Sequence, residues 1–282
     1  MGVSGENAHL PVSENTSFQV STCLNTYVAA AAALLVDDGS LSWDDPVDRH
    51  LSDFVLMNSP VCSHVTIRNL LGQRLEFSNA PELTRRKQIG ASTHVASFRE
   101  KYAEFPLAFE LVTEIVEQVS GQSLAQFLDQ RLFEPLGFAN TSFTEGRLST
   151  SSNDCATWLR LHLRRDFHGR TPLIKWSTMI DMHTSQCVAT PDERRGQLLA
   201  GYGMGWHIST YANHRILYEE GHGDDTSAFH LLLSKENLGI AVHLGSRCPA
   251  AARGIIYRLL NAFLGQPVID GPPSSKPGSR KI

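Results

Sequence analysis

An unbroken apolar run, Tyr27-Val28-Ala29-Ala30-Ala31-Ala32-Ala33-Leu34-Leu35-Val36, constrains this chain more than any other segment. Alanine and leucine favour the helix, and the run has no polar face to turn toward water, so it predicts a short helix buried on all sides. Asp37-Asp38-Gly39 ends it, because glycine accepts the left-handed conformation found just past a helix. Thr22 then falls at the N-terminal end of that helix. Unpaired amide N–H groups and the positive end of the helix dipole favour an oxyanion there. An ordinary cap by Ser21 or Thr22 is the competing reading.

A chain of 282 residues can bury one large core. Residues 1–265 read as one domain, with a helical lobe over about 40–200 and sheet strands over about 215–245; the Pro-, Ser- and Gly-rich segment 266–282 reads as a disordered tail. The formal net charge of −4 supplies no basic field for nucleic acid or anionic lipid, so neither is an expected partner. A small organic molecule fits better. Five scattered cysteines without C-x-x-C spacing argue for reduced thiols, against a disulfide framework and against a metal site. No H-E-x-x-H spacing occurs, and no cofactor motif. The start of the chain shows no basic and apolar leader, and the Tyr27–Val36 run is half the length of a membrane span. A cytoplasmic location is the expectation.

The segment Phe109 to Ser120 carries a helical apolar period closed by Gly121, and a second helix follows through Phe127, Leu128 and Leu132. From Arg215 the period alternates. Arg215–Tyr218, Ser227–Leu233 and Leu238–Leu244 read as three strands, the last two joined around Ser234-Lys235-Glu236-Asn237. A helix over 250–264, with Ile255, Ile256, Leu259, Leu260 and Phe263 on one side, would cover them.

Several of these segments together carry a resemblance. Phe18-Gln19-Val20-Ser21-Thr22-Cys23-Leu24-Asn25-Thr26-Tyr27, followed at fixed distance by Gly39, Leu41 and Asp45-Pro46-Val47, is similar to the F-x-x-(A/G)-S-x-x-K-(T/S)-(F/Y) segment of the serine β-lactamase and penicillin-binding-protein family. Val65-Thr66-Ile67-Arg68, Glu117-Gln118-Val119-Ser120-Gly121, Pro135-Leu136-Gly137, Met182-His183-Thr184 and Tyr202-Gly203-Met204-Gly205-Trp206 match further landmarks of that family. The resemblance implies an α+β fold, an antiparallel sheet flanked by helices with a large, mainly helical lobe. It also implies a start that is N-terminally shortened, since members carry one helix and two strands before this point. That would leave an open sheet edge for a protein partner to cover.

The same resemblance places Thr22 on the family's nucleophilic serine and Asn25 on its lysine base. An alcohol is a poor nucleophile at neutral pH without a base, and an amide side chain cannot take its proton. The family's tyrosine motif falls on Glu104 in an ungapped count, or on Tyr102 with a two-residue slip. His222, in Glu220-Gly221-His222-Gly223-Asp224-Asp225, falls on the family's strand motif. Glu219, Glu220, Asp224 and Asp225 would raise its pKa and make it a cation near neutrality. The other histidines, among them His162, His183, His207, His230 and His243, read as surface or strand-packing residues.

Several functions follow. The chain is a repurposed acyl hydrolase or transferase of esterase type for a small organic substrate, the kind of enzyme the family contributes to natural-product biosynthesis. Alternatively it is a non-covalent cyclase or isomerase on the same site, a pseudoenzyme that binds a ligand or partner, or an acyl enzyme on Thr22 with an unrecognised base.

Overall fold

The first helix, α1 (Leu24–Asp37), runs through the centre of the molecule, and Leu24 to Leu35 are all buried. It starts three residues before the apolar run, so Asn25 and Thr26 lie inside the helix and not ahead of it. Polar groups can enter this buried turn because neighbours take them: Thr26 Oγ1 donates to the Cys23 carbonyl at 2.8 Å. Past the helix end Gly39 takes φ of 75°, as expected. The computed structural model describes residues 11–52, 65–74, 107–164, 172–189 and 200–267. Tyr102, Glu104 and most of the expected cleft rim and tail lie outside the described residues.

Small side chains on α1 let its neighbours approach closely. Tyr27 stacks on Trp158 of α7 (Ser152–Leu163), with ring centroids 4.1 Å apart. The Gly203–Gly205 turn presses on the helix, and a Cβ on Gly205 would sit 2.8 Å from the Asn25 carbonyl. Helices α2 (Val47–His50), α3 (Ile67–Leu71), α4 (Leu107–Ser120), α5 (Leu124–Leu128), α6 (Glu134–Leu136) and α8 (Trp176–His183) complete the lobe. Side chains from all of them join α1 in one apolar core. Short strands β1 (Ser17–Gln19), β2 (Ser142–Thr144) and β3 (Arg147–Ser151) form a small sheet in the order β1-β3-β2. Asp154 of α7 ties this sheet to the helix turn before it by accepting from Asn140 N at 2.7 Å and Thr141 Oγ1 at 2.8 Å.

The main sheet is antiparallel with six strands in sequential order: β4 (Cys187–Ala189), β5 (Ala200–Tyr202), β6 (His207–Tyr211), β7 (His214–His222), β8 (Ser227–Leu233) and β9 (Leu238–Leu244). The sequence suggested three strands. Two of those missed are only three residues long and offer no alternation to read. The first predicted strand, Arg215–Tyr218, extends to His222 because β8 pairs with β7 up to His222↔Ser227.

Helix α9 (Pro249–Leu264) covers the outer face, as expected, but on a rotated stripe. Ala252, Ile256, Tyr257 and Leu260 pack on Ile216, Tyr218, Phe229 and Leu231, whereas Ile255, Leu259 and Phe263 are 40%, 49% and 54% exposed. The apolar stripe read from the sequence was therefore one residue off the buried one.

Candidate active site

Strand β7 decides which side chains meet the start of α1. Leu217 joins the core of the helical lobe, while Ile216 and Tyr218 pack toward α9. With a period of two, Glu219 and Gly221 point to α1, and Glu220 and His222 to α9. Gly221 is required: a Cβ there would lie 1.9 Å from the Val20 carbonyl oxygen. The chain therefore runs almost in contact with β7 just before α1.

A 3-10 turn, Ser21–Cys23, bridges that contact and α1, with Ser21 at φ of 42°, a left-handed conformation that a serine adopts only under restraint. Neither the turn nor α1 has a side-chain cap. Thr22 does not accept from an amide. Its Oγ1 donates to the main-chain carbonyl of Glu220. The capping alternative is thus set aside, and Thr22 is a part-buried hydroxyl donor held between helix and strand.

One helical turn on, buried Asn25 directs Nδ2 to Glu219 Oε1 at 3.5 Å. Glu219 is 3% exposed, and burial, reinforced by the neighbouring Glu220 charge, pushes its carboxyl well above the usual range, while the Asn25 contact acts the other way. Its second oxygen, Oε2, lies 3.7 Å from His207 Nε2. His207 is half-exposed and sits between two aromatic rings. It stacks on Tyr218 at 5.0 Å with planes 15° apart, and meets Tyr202 edge-on at 4.8 Å and 85°. Burial pushes the Tyr202 phenol up, with Asn25 and Gln73 beside its hydroxyl.

Three buried polar atoms in this cluster close no hydrogen bond of ordinary geometry: Asn25 Oδ1, Tyr202 Oη and Glu219 Oε2. Unsatisfied buried polar atoms are costly and rare, and several in one place mark a site where a ligand or water completes the network.

The sequence singled out Thr22 and Asn25, and the structure brings both together with Glu219. It does not bring His222 to them by a hydrogen bond. His222 lies on the α9 face, opposite Ser227, whose hydroxyl bonds Ser246 O at 3.1 Å and accepts from Cys248 N at 2.8 Å. Nor do the acids gather around His222. Glu219 turns to Asn25, Glu220 is held by Arg253 of α9 at 2.5 Å, and the exposed Asp224 faces Arg147 at 3.9 Å. Sequence reasoning missed Glu219, Tyr202 and His207 as site residues. The alternation that buries Leu217 also aims Glu219 inward, so that signal was present; the approach of β5 and β6 to α1 was not.

The comparisons with known proteins agree with this fold. The Beta-lactamase family profile matches residues 1–260, and the chain belongs to that family. Among curated relatives, Protein flp of Staphylococcus aureus is 20% identical over 86% of this chain and 55% of its own length. The chain spans between 35% and 55% of the length of the curated relatives it matches. Among solved structures, the octameric penicillin-binding protein homologue from Pyrococcus abyssi has a TM-score of 0.75 at 20% identity, over 96% of this chain and 71% of that one. A D-stereospecific amidohydrolase from Streptomyces sp. has a TM-score of 0.62 at 16% identity, over 82% and 83%. These likenesses establish the fold. Among the described residues no helix is long and apolar enough to cross a membrane.

Proposed function

We propose that this chain is an acyl hydrolase or acyltransferase for a small ester, thioester or amide, working without a covalent acyl-enzyme. The observation that carries the reading is the contiguous set Thr22, Asn25, Glu219 and His207, in which the position of the family's lysine is given to an amide that faces a buried acid. The supporting comparison is the amidohydrolase likeness, which names a relative in fold that acts on acyl bonds.

In this reading His207 takes the proton from an attacking water or alcohol. Glu219 Oε2 lies behind the imidazole at 3.7 Å, outside hydrogen-bond range in the structure, and the Tyr218 and Tyr202 rings fix its plane. The carbonyl oxygen of the substrate becomes an oxyanion and accepts from amides at the start of α1 and from the Thr22 hydroxyl, once that hydroxyl turns from the Glu220 carbonyl to which it donates in the structure. The same His207 returns the proton to the leaving group. Asn25 keeps Glu219 in place.

Hydrolysis of a short-chain nitrophenyl ester by wild type, His207→Gln and Glu219→Gln tests this. Loss of turnover by about 10²- to 10⁴-fold in His207→Gln is the expected result. Undiminished turnover in both variants would sink the proposal. A second reading, ligand binding without turnover, is favoured by one observation: the Thr22 proton is committed to a peptide carbonyl and not to a base. Saturable binding of the ester analogue with no hydrolysis in wild type would select it.

A further inference from the structure

Away from the cleft, three side chains from three elements converge beneath the sheet. Cys155 of α7, His230 of β8 and His243 of β9 bring one potential ligand atom each to within 4.8 Å of one another. Cys155 Sγ is 3.2 Å from His230 Nε2, and that nitrogen is 2.9 Å from His243 Nε2. Cys155 and His230 are wholly buried. Register explains the convergence. His243 is paired with Ala228, and His230 with Ala241, so both imidazoles lie on the sheet face that meets α7, where alanine partners leave room for them.

We propose that Cys155, His230 and His243 form a binding site for one thiophilic d10 cation, Zn²⁺ or Cu⁺, separate from the acyl cleft. A thiolate with two imidazoles is the donor set such ions select. A cation about 2.0–2.1 Å from each nitrogen and about 2.3 Å from sulfur sets its ligands roughly 3.3–3.8 Å apart. The two shortest separations here, 2.9 and 3.2 Å, reach that range when the side chains open by about half an ångström.

Hydrogen bonding alone explains the triad poorly. Nδ1 of both His230 and His243 is buried without a partner, so with one proton between the two Nε2 atoms an imidazole N–H is always left unpaired. A bound cation adds one more unpaired N–H, a cost small beside three coordinate bonds. Burial keeps both imidazoles neutral, His243 down to about 4, so their lone pairs are free to bind. The Cys155 thiol, pushed up by the same burial, would release its proton to solvent on binding. Such a cation would fasten α7 to strands β8 and β9.

The test is metal titration of the purified, reduced, chelator-stripped full chain, with Zn²⁺ in one arm and Cu⁺ under anaerobic conditions in the other, each against a chromophoric competitor. One equivalent of one ion is expected to bind wild type. Affinity should fall on the order of 100-fold or more in Cys155→Ser and in His243→Gln, and stay unchanged in Cys187→Ser. Should the buried variants fail to fold, wild type alone decides, since a bound ion must slow alkylation of Cys155 relative to Cys23, mapped by peptide mass spectrometry. Absence of stoichiometric binding by either ion, binding that survives both substitutions, or a labelling rate of Cys155 indifferent to metal overturns the proposal.

Discussion

The two ends of α1 follow different rules. From Tyr27 to Leu35 the helix is buried throughout and packed against rings and glycines, and the Tyr27 hydroxyl is its one polar side-chain group. From Ser21 to Asn25 the 3-10 turn and the first residues of α1 are equally close to their neighbours, yet they carry a strained serine, a donor bonded across to β7 and an amide facing a buried acid. Packing accounts for the first end apart from the buried Tyr27 hydroxyl. The second end is costlier than packing requires, and real proteins tolerate such local conflict mainly where function needs it. The family's framework is kept at one end, and at the other the proposed function assigns Thr22 and Asn25 a different chemistry.

The largest effect that would break this contrast lies at the polar end. His207→Gln is expected to cost about 10²- to 10⁴-fold in ester turnover with little change in melting temperature, measured by steady-state kinetics beside calorimetry. Thr22→Ala comes next, at about 10²- to 10³-fold in kcat for the loss of one oxyanion donor. Where the chain touches β7, Gly221→Ala forces a methyl against the Val20 carbonyl and should destabilise by about 3 kcal/mol in urea unfolding, the upper end for overpacking.

The packed end has its own signature in acid. His162 and His183 lie 3.0 Å apart beside Trp158 and Trp206, and Arg215, which donates to the His183 carbonyl, is the cation facing them. Burial lowers both histidines, His183 to about 3. Above the ordinary value of 6.5 both folded and unfolded chains hold them neutral, so they contribute no pH dependence. Below it only the unfolded chain takes up the protons, and stability falls toward the folded values. The slope is about 1.4 kcal/mol per pH unit for each histidine, read from denaturation midpoints between pH 6.5 and 4. Glu219 acts in the opposite sense. Its raised pKa means the folded chain holds a proton that the unfolded one has lost, so Glu219→Gln should remove a loss of stability that grows as pH rises above the ordinary glutamate range. The smallest effect is expected for Thr22→Ser, which keeps the donor and should hold activity within a few-fold.

The sequence made the packed end legible. A run of five alanines between Val28 and Leu34 admits one interpretation, and the C-terminal helix, its Gly265 stop and the pairing of β8 with β9 could be read from local period alone. The polar end was legible in part. Thr22 and Asn25 stood out because they replace residues whose chemistry is known, whereas Glu219 acquires meaning only when β7 lies against α1. His207 and Tyr202 needed the register Tyr202↔His207↔Tyr218, which spans three strands, one of them only three residues long. The cysteine–histidine triad was invisible for the same reason: its members are 75 and 13 residues apart, and no spacing rule joins them.

The central claim is that Thr22 serves as a hydrogen-bond donor and not as a nucleophile. Intact-protein mass spectrometry of wild type and Thr22→Ala after incubation with a β-lactam and with a fluorophosphonate tests it most directly. The account predicts no mass increase in either protein under conditions where wild type turns over an ester. A mass increase present in wild type and absent from Thr22→Ala would contradict it and restore the covalent mechanism of the family.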